Sequence, residues 1–285
     1  MTRLALLPGL AAALVIAAAC RPRADAGART GLIASALARP DIRWSHHDVE
    51  HFRLYAMRGS YAEAHFPVLG AAAEAARSHD LELLGVSAYP RRVTLVFVPS
   101  REAMRSFVGW PAGGWGVAAE NGAFFLASDS VPPALRHELM HVFSWNRWGT
   151  PFGGPDAGQW ISEGLATYAV GGCQEIGLHT LAATYGEAGQ LVPWARLGSG
   201  FDVSTLAAYA QAGSIIDYVR RRFGADGLRQ LWRAGLPGLE TFTGVPVEQM
   251  ETEWRALLAA APPPPRREDG RSLAARVRRE GCERL

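Results

Sequence analysis

The spacing of apolar residues changes character partway along the chain. Residues 44–55 alternate apolar and polar side chains with the two-residue period of a half-buried strand, and residues 93–98 are a β-branched, apolar run. Between them, residues 62–83 are alanine-rich with helical spacing, and residues 116–126 hold an Asn-Gly pair between apolar arms, which predicts a hairpin. Beyond residue 130 helical spacing dominates. The pattern predicts an α+β fold with a small N-terminal mixed sheet and a mostly helical second half.

Several predicted helices carry cap signals at their N-termini. Residues 100–107 form a short helix that Ser100 can cap. Ser130 is expected to cap the first helix of the second half. Asp156 and Gln159 have the three-residue spacing of a capping box in front of the next helix.

The first 43 residues have the pattern of an export segment and a tether. Arg3 gives a short positive region, residues 4–19 are apolar, and three alanines precede Cys20. This arrangement resembles the lipobox of bacterial lipoproteins, which implies a signal peptide over residues 1–19 and a lipid anchor to the membrane on Cys20. An ordinary cleaved secretion signal is the open alternative. We therefore expect a protein outside the cytoplasm, as an envelope lipoprotein if Cys20 is acylated, with a tether over residues 20–43.

Composition supports a folded chain without an electrostatic preference for nucleic acid. Hydrophobic residues make up 48% and charged residues 20% of the 285 positions. The net charge is 29 − 27 = +2, and all 29 cations are arginines. The body is close to neutral, so no nucleic-acid partner is expected. We expect one domain over residues 44–260, with a sheet-bearing part (44–130) and a helical part (131–260), and a Pro-rich linker with an Arg-rich tail over 261–285.

A metal-ligand motif opens the helical half. His137, Glu138 and His141 form the pattern His-Glu-x-x-His. Two histidines four residues apart lie one turn apart on the same helix face, where both imidazoles can reach one ion. Zinc favours such nitrogen ligands, and catalytic zinc sites take three protein ligands.

Helical geometry argues against two solvated histidines on a surface helix. At about 100° per residue, the apolar residues Leu135, Leu139 and Val142 fall on the side opposite the histidines. The histidines therefore occupy the face that a cleft would use.

A third ligand is expected from residues 160–168, Trp-Ile-Ser-Glu-Gly-Leu-Ala-Thr-Tyr. Their apolar stripe includes Ile161 and Leu165, and Glu163 lies about 200° from Ile161, away from the core side. Gly164 would let another helix approach closely. A single glutamate on a helix is usually solvated. Here two helices each carry metal-ligand residues away from their apolar stripe, and together they indicate a metal site.

The segments HELMH and WISEGLATY resemble the gluzincin branch of zinc metallopeptidases, and most closely the peptidase MA-like proteins of the bacterial envelope. The resemblance implies a zincin-like fold and one Zn²⁺ ion held by His137, His141 and Glu163. It also implies hydrolysis of a peptide or protein substrate, with Glu138 as the catalytic base. Thr167 stands where some gluzincins carry an aspartate that orients a histidine.

Two further expectations come from the same resemblance. Tyr209 is a candidate for stabilising the oxyanion, with a core aromatic role as the alternative. Residues 123–127 are expected to form the hairpin edge to which substrate adds as a strand. The sequence contains no aminopeptidase-type exopeptidase motif, and it does not determine the oligomeric state.

Alternatives to a zinc peptidase remain. One is a non-catalytic binding or structural module of the cell envelope with the same fold, and another is a metal hydrolase that acts on a non-peptide bond. The presence of all four chemical residues favours the peptidase. If Cys20 carries lipid, Cys173 and Cys282 are left as a disulfide pair, with two unpaired thiols as the alternative.

Overall fold

A five-stranded mixed sheet forms the N-terminal part of the fold. The computed structural model describes residues 31–173, 176–264, 272–273 and 275–276. The strands are β1 (Trp44–Asp48), β2 (Phe52–Met57), β3 (Val93–Val98), β4 (Gly114–Val117) and β5 (Gly122–Leu126). Their order is β1-β2-β3-β5-β4; β2, β3 and β5 run parallel, while β1 and β4 are antiparallel edge strands. The single strand expected over residues 44–55 is thus two strands, because the Val49 N–H bonds the Phe52 carbonyl and closes a turn.

Helices cover both faces of the sheet, because successive side chains of a strand point to opposite faces and those of β3 and β5 are buried on both. The helices of this part are α1 (Leu32–Leu37), α2 (Tyr61–Ala64), α3 (Phe66–Leu84) and α4 (Arg101–Val108). Leu95 and Phe125 belong to the main core, whereas Val96 and Phe124 lie on the opposite face in a second cluster with Ile33 and Met104. Within α4, the Ser100 hydroxyl accepts the Ala103 N–H at 3.2 Å, which confirms the predicted cap.

Helix α1 corrects the last part of the predicted tether. Ile33 and Ala36 are buried beneath the sheet, and the Ile33 N–H donates to Glu120 Oε2 at 2.9 Å. The folded part therefore includes residues that the composition assigned to the tether, because their apolar side chains pack against one face of the sheet.

The second half is a helical layer. Its helices are α5 (Leu135–Trp148), α6 (Gly154–Ala157), α7 (Gln159–Val170), α8 (Leu178–Glu187), α9 (Leu197–Gly200), α10 (Leu206–Thr243) and α11 (Val247–Ala259), with a two-stranded ribbon of β6 (Gly172–Cys173) and β7 (Ile176–Gly177). Helix α10 is kinked at Gly224 and Gly235, where φ is 71° and 64°. Helix α7 packs between α5 and α10, so the two predicted metal helices are neighbours.

Two predicted caps are wrong. Helix α5 begins only at Leu135, and the Ser130 hydroxyl bonds the Asp129 carboxylate instead of a helix N–H. Asp156 lies inside α6, and the N-cap of α7 is Gly158, which has no capping side chain. The helices begin later than the spacing predicts, so each polar group lies too far ahead of its helix, or in another helix, to cap it.

In the described part of the chain, no helix combines the length and apolar character needed to cross a bilayer. The proposed signal peptide, Cys20 and Cys282 lie outside the described residues.

Candidate metal centre

Helices α5 and α7 turn their polar faces toward each other. The predicted stripe of α5 is buried, with Leu139 and Val142 fully inaccessible, and Leu165 of α7 is equally buried. The side chains of His137 and Glu163 remain 20% and 17% exposed, so the pair lies at the floor of a cleft and a substrate could reach it.

The three predicted ligands converge on one point. Glu163 Oε2 lies 3.1 Å from His137 Nε2 and 3.4 Å from His141 Nε2, and the two Nε2 atoms are 3.3 Å apart. Tetrahedral ligands about 2.1 Å from a single ion are separated by about 3.4 Å, so these spacings fit a shared ion. Two imidazoles and one carboxylate are a donor set of catalytic zinc sites, and the triad therefore supports one Zn²⁺ ion.

The electrostatics of the triad favour a cation. Burial raises the pKa of the Glu163 carboxyl, but the His141 and His137 side chains lower it by more, and its pKa lies well below the ordinary value. Burial lowers the pKa of His141, but interactions with Glu163 raise it by more. The net change in the pKa is therefore upward. A buried carboxylate that stays ionised beside two imidazoles is suited to hold a divalent ion.

Ser162, which no sequence motif marked, contacts one of the three predicted ligands. The Ser162 hydroxyl lies 3.1 Å from His141 Nδ1, and it accepts the Trp145 indole N–H at 3.1 Å. Ser162 immediately precedes Glu163, so a single turn of α7 supplies both a ligand and the group that fixes another ligand. Thr167, in contrast, has a buried hydroxyl without a hydrogen-bond partner in the described residues.

The edge strand β4 holds the predicted base. The Gly116 N–H donates to Glu138 Oε2 at 2.7 Å. A Cβ atom on Gly114 would come within 2.5 Å of the Glu138 side chain, and one on Gly116 within 3.2 Å of His141 Cβ. Glycine at both positions therefore lets β4 lie directly on α5, a Gly-x-Gly signal that the sequence analysis did not use.

The expected substrate-binding edge, residues 123–127, is wrong. This segment belongs to β5, which is paired with β3 on one side and β4 on the other and so has no free edge. Among the described strands, the edge next to α5 is β4; its outward N–H and C=O groups are not used by β5, and the Gly116 N–H bonds Glu138.

Tyr209 lies beside the triad at the start of α10. Its ring centroid is 6.2 Å from that of His137 and 5.6 Å from that of Phe201. Burial, followed by the charges of Glu163 and Glu138, raises the pKa of the phenol well above its ordinary value. The phenol therefore keeps its proton at a pH at which an ordinary tyrosine ionises.

No protein-family model matches the chain, and no curated protein is significantly similar to it. One similar solved structure is described as an M1 zinc metallopeptidase from Deinococcus radiodurans, with 20% identity and a TM-score of 0.41. The match covers 80% of this chain but only 54% of that chain, so the present chain spans about half the length of that protein. The assignment of the metal centre rests on the donor geometry.

Proposed function

We propose that this chain is a zinc-dependent metallopeptidase of the gluzincin type, related to the peptidase MA-like envelope proteins, which hydrolyses peptide bonds. One observation carries the proposal: the donor atoms of His137, His141 and Glu163 lie 3.1–3.4 Å apart beside the carboxylate of Glu138. A metal site alone would not need that neighbouring carboxylate, whereas hydrolysis by an activated water does.

Each residue of the site has its own role in the proposed hydrolysis. A bound Zn²⁺ ion would supply Lewis-acid activation of the attacking water and of the scissile carbonyl. Glu138 bonds the Gly116 N–H through Oε2, which leaves Oε1 to take a proton from the water and return it to the leaving amine. Tyr209 donates a hydrogen bond to the oxyanion that forms on the former carbonyl oxygen.

The substrate backbone would add to the free edge of β4. The N–H and C=O groups of one strand residue point to the same side, so Gly116 directs its carbonyl, like its N–H, away from β5. An extended peptide on this edge would run past Glu138. The pairing would use the Gly116 carbonyl, because the Gly116 N–H is bonded to Glu138.

The first experiment separates metal binding from catalysis. His141→Ala and Glu163→Ala should lose both zinc and activity, because two ligands are too few for a tight site. Glu138→Gln should retain near-stoichiometric zinc while kcat falls by about 10²-fold or more, the scale of general-base loss. Zinc content by elemental analysis and hydrolysis of a peptide mixture are measured together, with exposed Glu187→Gln as the matched control.

The same variants test the non-catalytic alternative. A binding module predicts that zinc or partner binding survives while wild type and Glu138→Gln are equally inert on every peptide. Loss of zinc in Glu138→Gln with retention in Glu163→Ala would reverse the roles of the two glutamates.

Tyr209→Phe tests the oxyanion role, since it removes only the hydroxyl. We expect kcat to fall by roughly 10²-fold at unchanged zinc content, the usual effect of losing one oxyanion donor. The control is Tyr218→Phe, which removes a hydroxyl that bonds Glu253 at 2.8 Å and lies in the core. Equal kcat in Tyr209→Phe and wild type would assign Tyr209 to packing.

The proposed location follows from the N-terminal sequence. We propose that the chain acts outside the cytoplasm and is anchored to the membrane through acylated Cys20. Mass spectrometry of the mature N-terminus tests this, because an unmodified N-terminus at another residue is incompatible with a lipoprotein.

A further inference from the structure

Tyr209 borders open space beside the metal centre. It is the fourth residue of α10, and it lines two cavities, of about 690 Å³ and 580 Å³, that both reach His137 and Glu138. A side chain beside open space can change rotamer at little cost, and the first turn of a helix is held by fewer hydrogen bonds than its interior. Contacts from outside α10 therefore decide where the phenol ring lies.

Two aromatic rings from other elements contact the Tyr209 ring. One is the ligand His137, at 6.2 Å between ring centroids, and the other is Phe201, at 5.6 Å and an interplanar angle of 59°. Tilted ring pairs at such separations are favourable, because the positive edge of one ring meets the negative face of the other. Phe201 is not among the described residues that line either cavity. It therefore supports the phenol from the packed side and would not touch a substrate in these cavities.

A short turn fixes Phe201 relative to the start of α10. Phe201 directly follows α9, and residues 202–205 connect it to the helix. The Asp202 carbonyl accepts the Thr205 N–H at 3.0 Å, and the Asp202 carboxylate accepts the Ser204 N–H at 2.9 Å. The Thr205 hydroxyl donates to the same carbonyl at 3.1 Å and caps α10. Phe201 and Tyr209 are therefore joined by a hydrogen-bonded turn.

The segment ahead of Phe201 is bonded to the helical layer. The Gln211 amide, buried on α10, donates to the Val192 carbonyl at 2.6 Å and accepts the Val192 N–H at 3.0 Å. The Trp194 N–H donates to Glu251 of α11 at 3.1 Å, and the Trp194 ring is buried. Because the chain is bonded to two helices before Phe201 and turns tightly after it, the Phe201 ring is a fixed support.

We infer that Phe201 is a positioning residue, which holds the Tyr209 ring so that its hydroxyl faces the reacting carbonyl. The inference rests on the proposed function, because the oxyanion role of Tyr209 belongs to it, and it adds a residue that acts without touching substrate. Without the Phe201 ring, Tyr209 would occupy its productive orientation for only part of the time. We therefore expect kcat to fall, whereas KM should hardly change because Phe201 does not line the cavities.

A double-mutant cycle on the zinc-loaded full-length protein tests whether Phe201 acts through Tyr209. Phe201→Ala should lower kcat about tenfold, since a small misplacement of a catalytic group is costly, and Phe201→Tyr, which keeps the ring, should retain the wild-type kcat. In the Tyr209→Phe background, Phe201→Ala should lower kcat no further, because no hydroxyl is left to misplace. A full tenfold loss in that background, or equal kcat in Phe201→Ala and wild type, overturns the inference.

Phe223→Ala is the matched control. Phe223 is also partly buried, and its ring contacts another tyrosine, Tyr218, at 6.0 Å; neither residue is among the described residues that line the two cavities. This variant should lower Tm but leave kcat and zinc content as in wild type. A tenfold loss of kcat in Phe223→Ala would assign the effect of Phe201→Ala to general destabilisation, and the inference would be overturned.

Fluorine NMR follows the Tyr209 ring independently of turnover. The protein is labelled with 3-fluorotyrosine, and the Tyr209 signal among the seven tyrosines is assigned by its loss in Tyr209→Phe. Phe201→Ala should shift and broaden this signal, whereas Phe223→Ala should change the Tyr218 signal and leave that of Tyr209 in place. An unchanged Tyr209 signal in Phe201→Ala overturns the inference, whatever the kinetics.

The inference and the proposed function fail in different ways. If wild type is active and the Tyr209 signal changes in Phe201→Ala without any loss of kcat, the inference is overturned and the proposed function stands. If wild type hydrolyses no peptide faster than Glu138→Gln, the proposed function is overturned and the catalytic role of Phe201 is overturned with it.

Discussion

Ser162 and Trp145 restrict the rotation of an imidazole that a two-histidine motif leaves free. When His141 Nε2 faces an ion, the proton of the ring lies on Nδ1, which must then donate. The Ser162 hydroxyl has two acceptor lone pairs, one for His141 Nδ1–H and one for the Trp145 indole N–H, both at 3.1 Å. The Trp145 indole thus fixes the orientation of the Ser162 hydroxyl, and this hydroxyl fixes the orientation of the His141 imidazole.

Ser162→Ala should weaken zinc binding without removing a ligand. Loss of a partner of this kind typically costs about 10- to 100-fold in metal affinity. Competition with a chelator of known affinity measures the change. Ser144→Ala, which deletes a buried hydroxyl on α5 that bonds the His141 backbone carbonyl and not its imidazole, should leave zinc affinity unchanged. Equal loss in both variants would show a general packing effect instead of imidazole orientation.

At the level of elements, Gly164 sets the distance between α7 and α10. A Cβ atom there would lie 3.0 Å from the backbone and Cβ of Ala212. Because Gly164 follows Glu163 directly, this close approach also fixes the height of the third ligand relative to α5. Helix α10 also holds the loop between α5 and α7, because the Trp232 indole donates to the Gly149 carbonyl at 3.0 Å.

Gly164→Ala should destabilise the fold although alanine is the better helix former. The propensity gain is about 1 kcal/mol, whereas overpacking a tight contact costs about 1–3 kcal/mol, so we expect a net loss of about 1 kcal/mol. Urea unfolding measures it. Gly198→Ala, in exposed α9, would meet only one carbonyl oxygen at 3.5 Å and should be neutral or stabilising. A stabilised Gly164→Ala would mean that α10 can move away at no cost.

At the scale of the whole molecule, Leu273 lies against the ribbon of β6 and β7 that follows α7. Leu273 is fully buried in a cluster with Cys173, Ile176 and Leu181. Cys173 is disulfide-bonded, and its partner lies outside the described residues.

The cysteines should therefore divide into a Cys173–Cys282 disulfide and an acylated Cys20. Closing a loop of over a hundred residues stabilises the fold by roughly 4–5 kcal/mol in the chain-entropy description. Peptide mapping without reduction should recover the 173–282 linked peptide, and Cys282→Ser should lower Tm while Cys20→Ser does not. A linked peptide that contains Cys20 would contradict both assignments.

Local patterns in the sequence determined the elements and the chemistry. Strand β3 (Val93–Val98) and the Ser100 cap depend on neighbours within a few positions, so periodicity and spacing were enough. The same is true of the two metal helices, because the apolar stripe of each forces the opposite face, with His137, His141 or Glu163, out of the core.

Only the tertiary structure decided which groups meet across elements. The free edge belongs to β4 and not to β5 because strand order depends on pairing between distant segments, which periodicity does not encode. The Ser162–His141 contact and the Gly116–Glu138 bond likewise join residues from different elements. A sequence pattern fixes which way a side chain faces on its own helix or strand, whereas the partner it meets depends on how the whole chain packs.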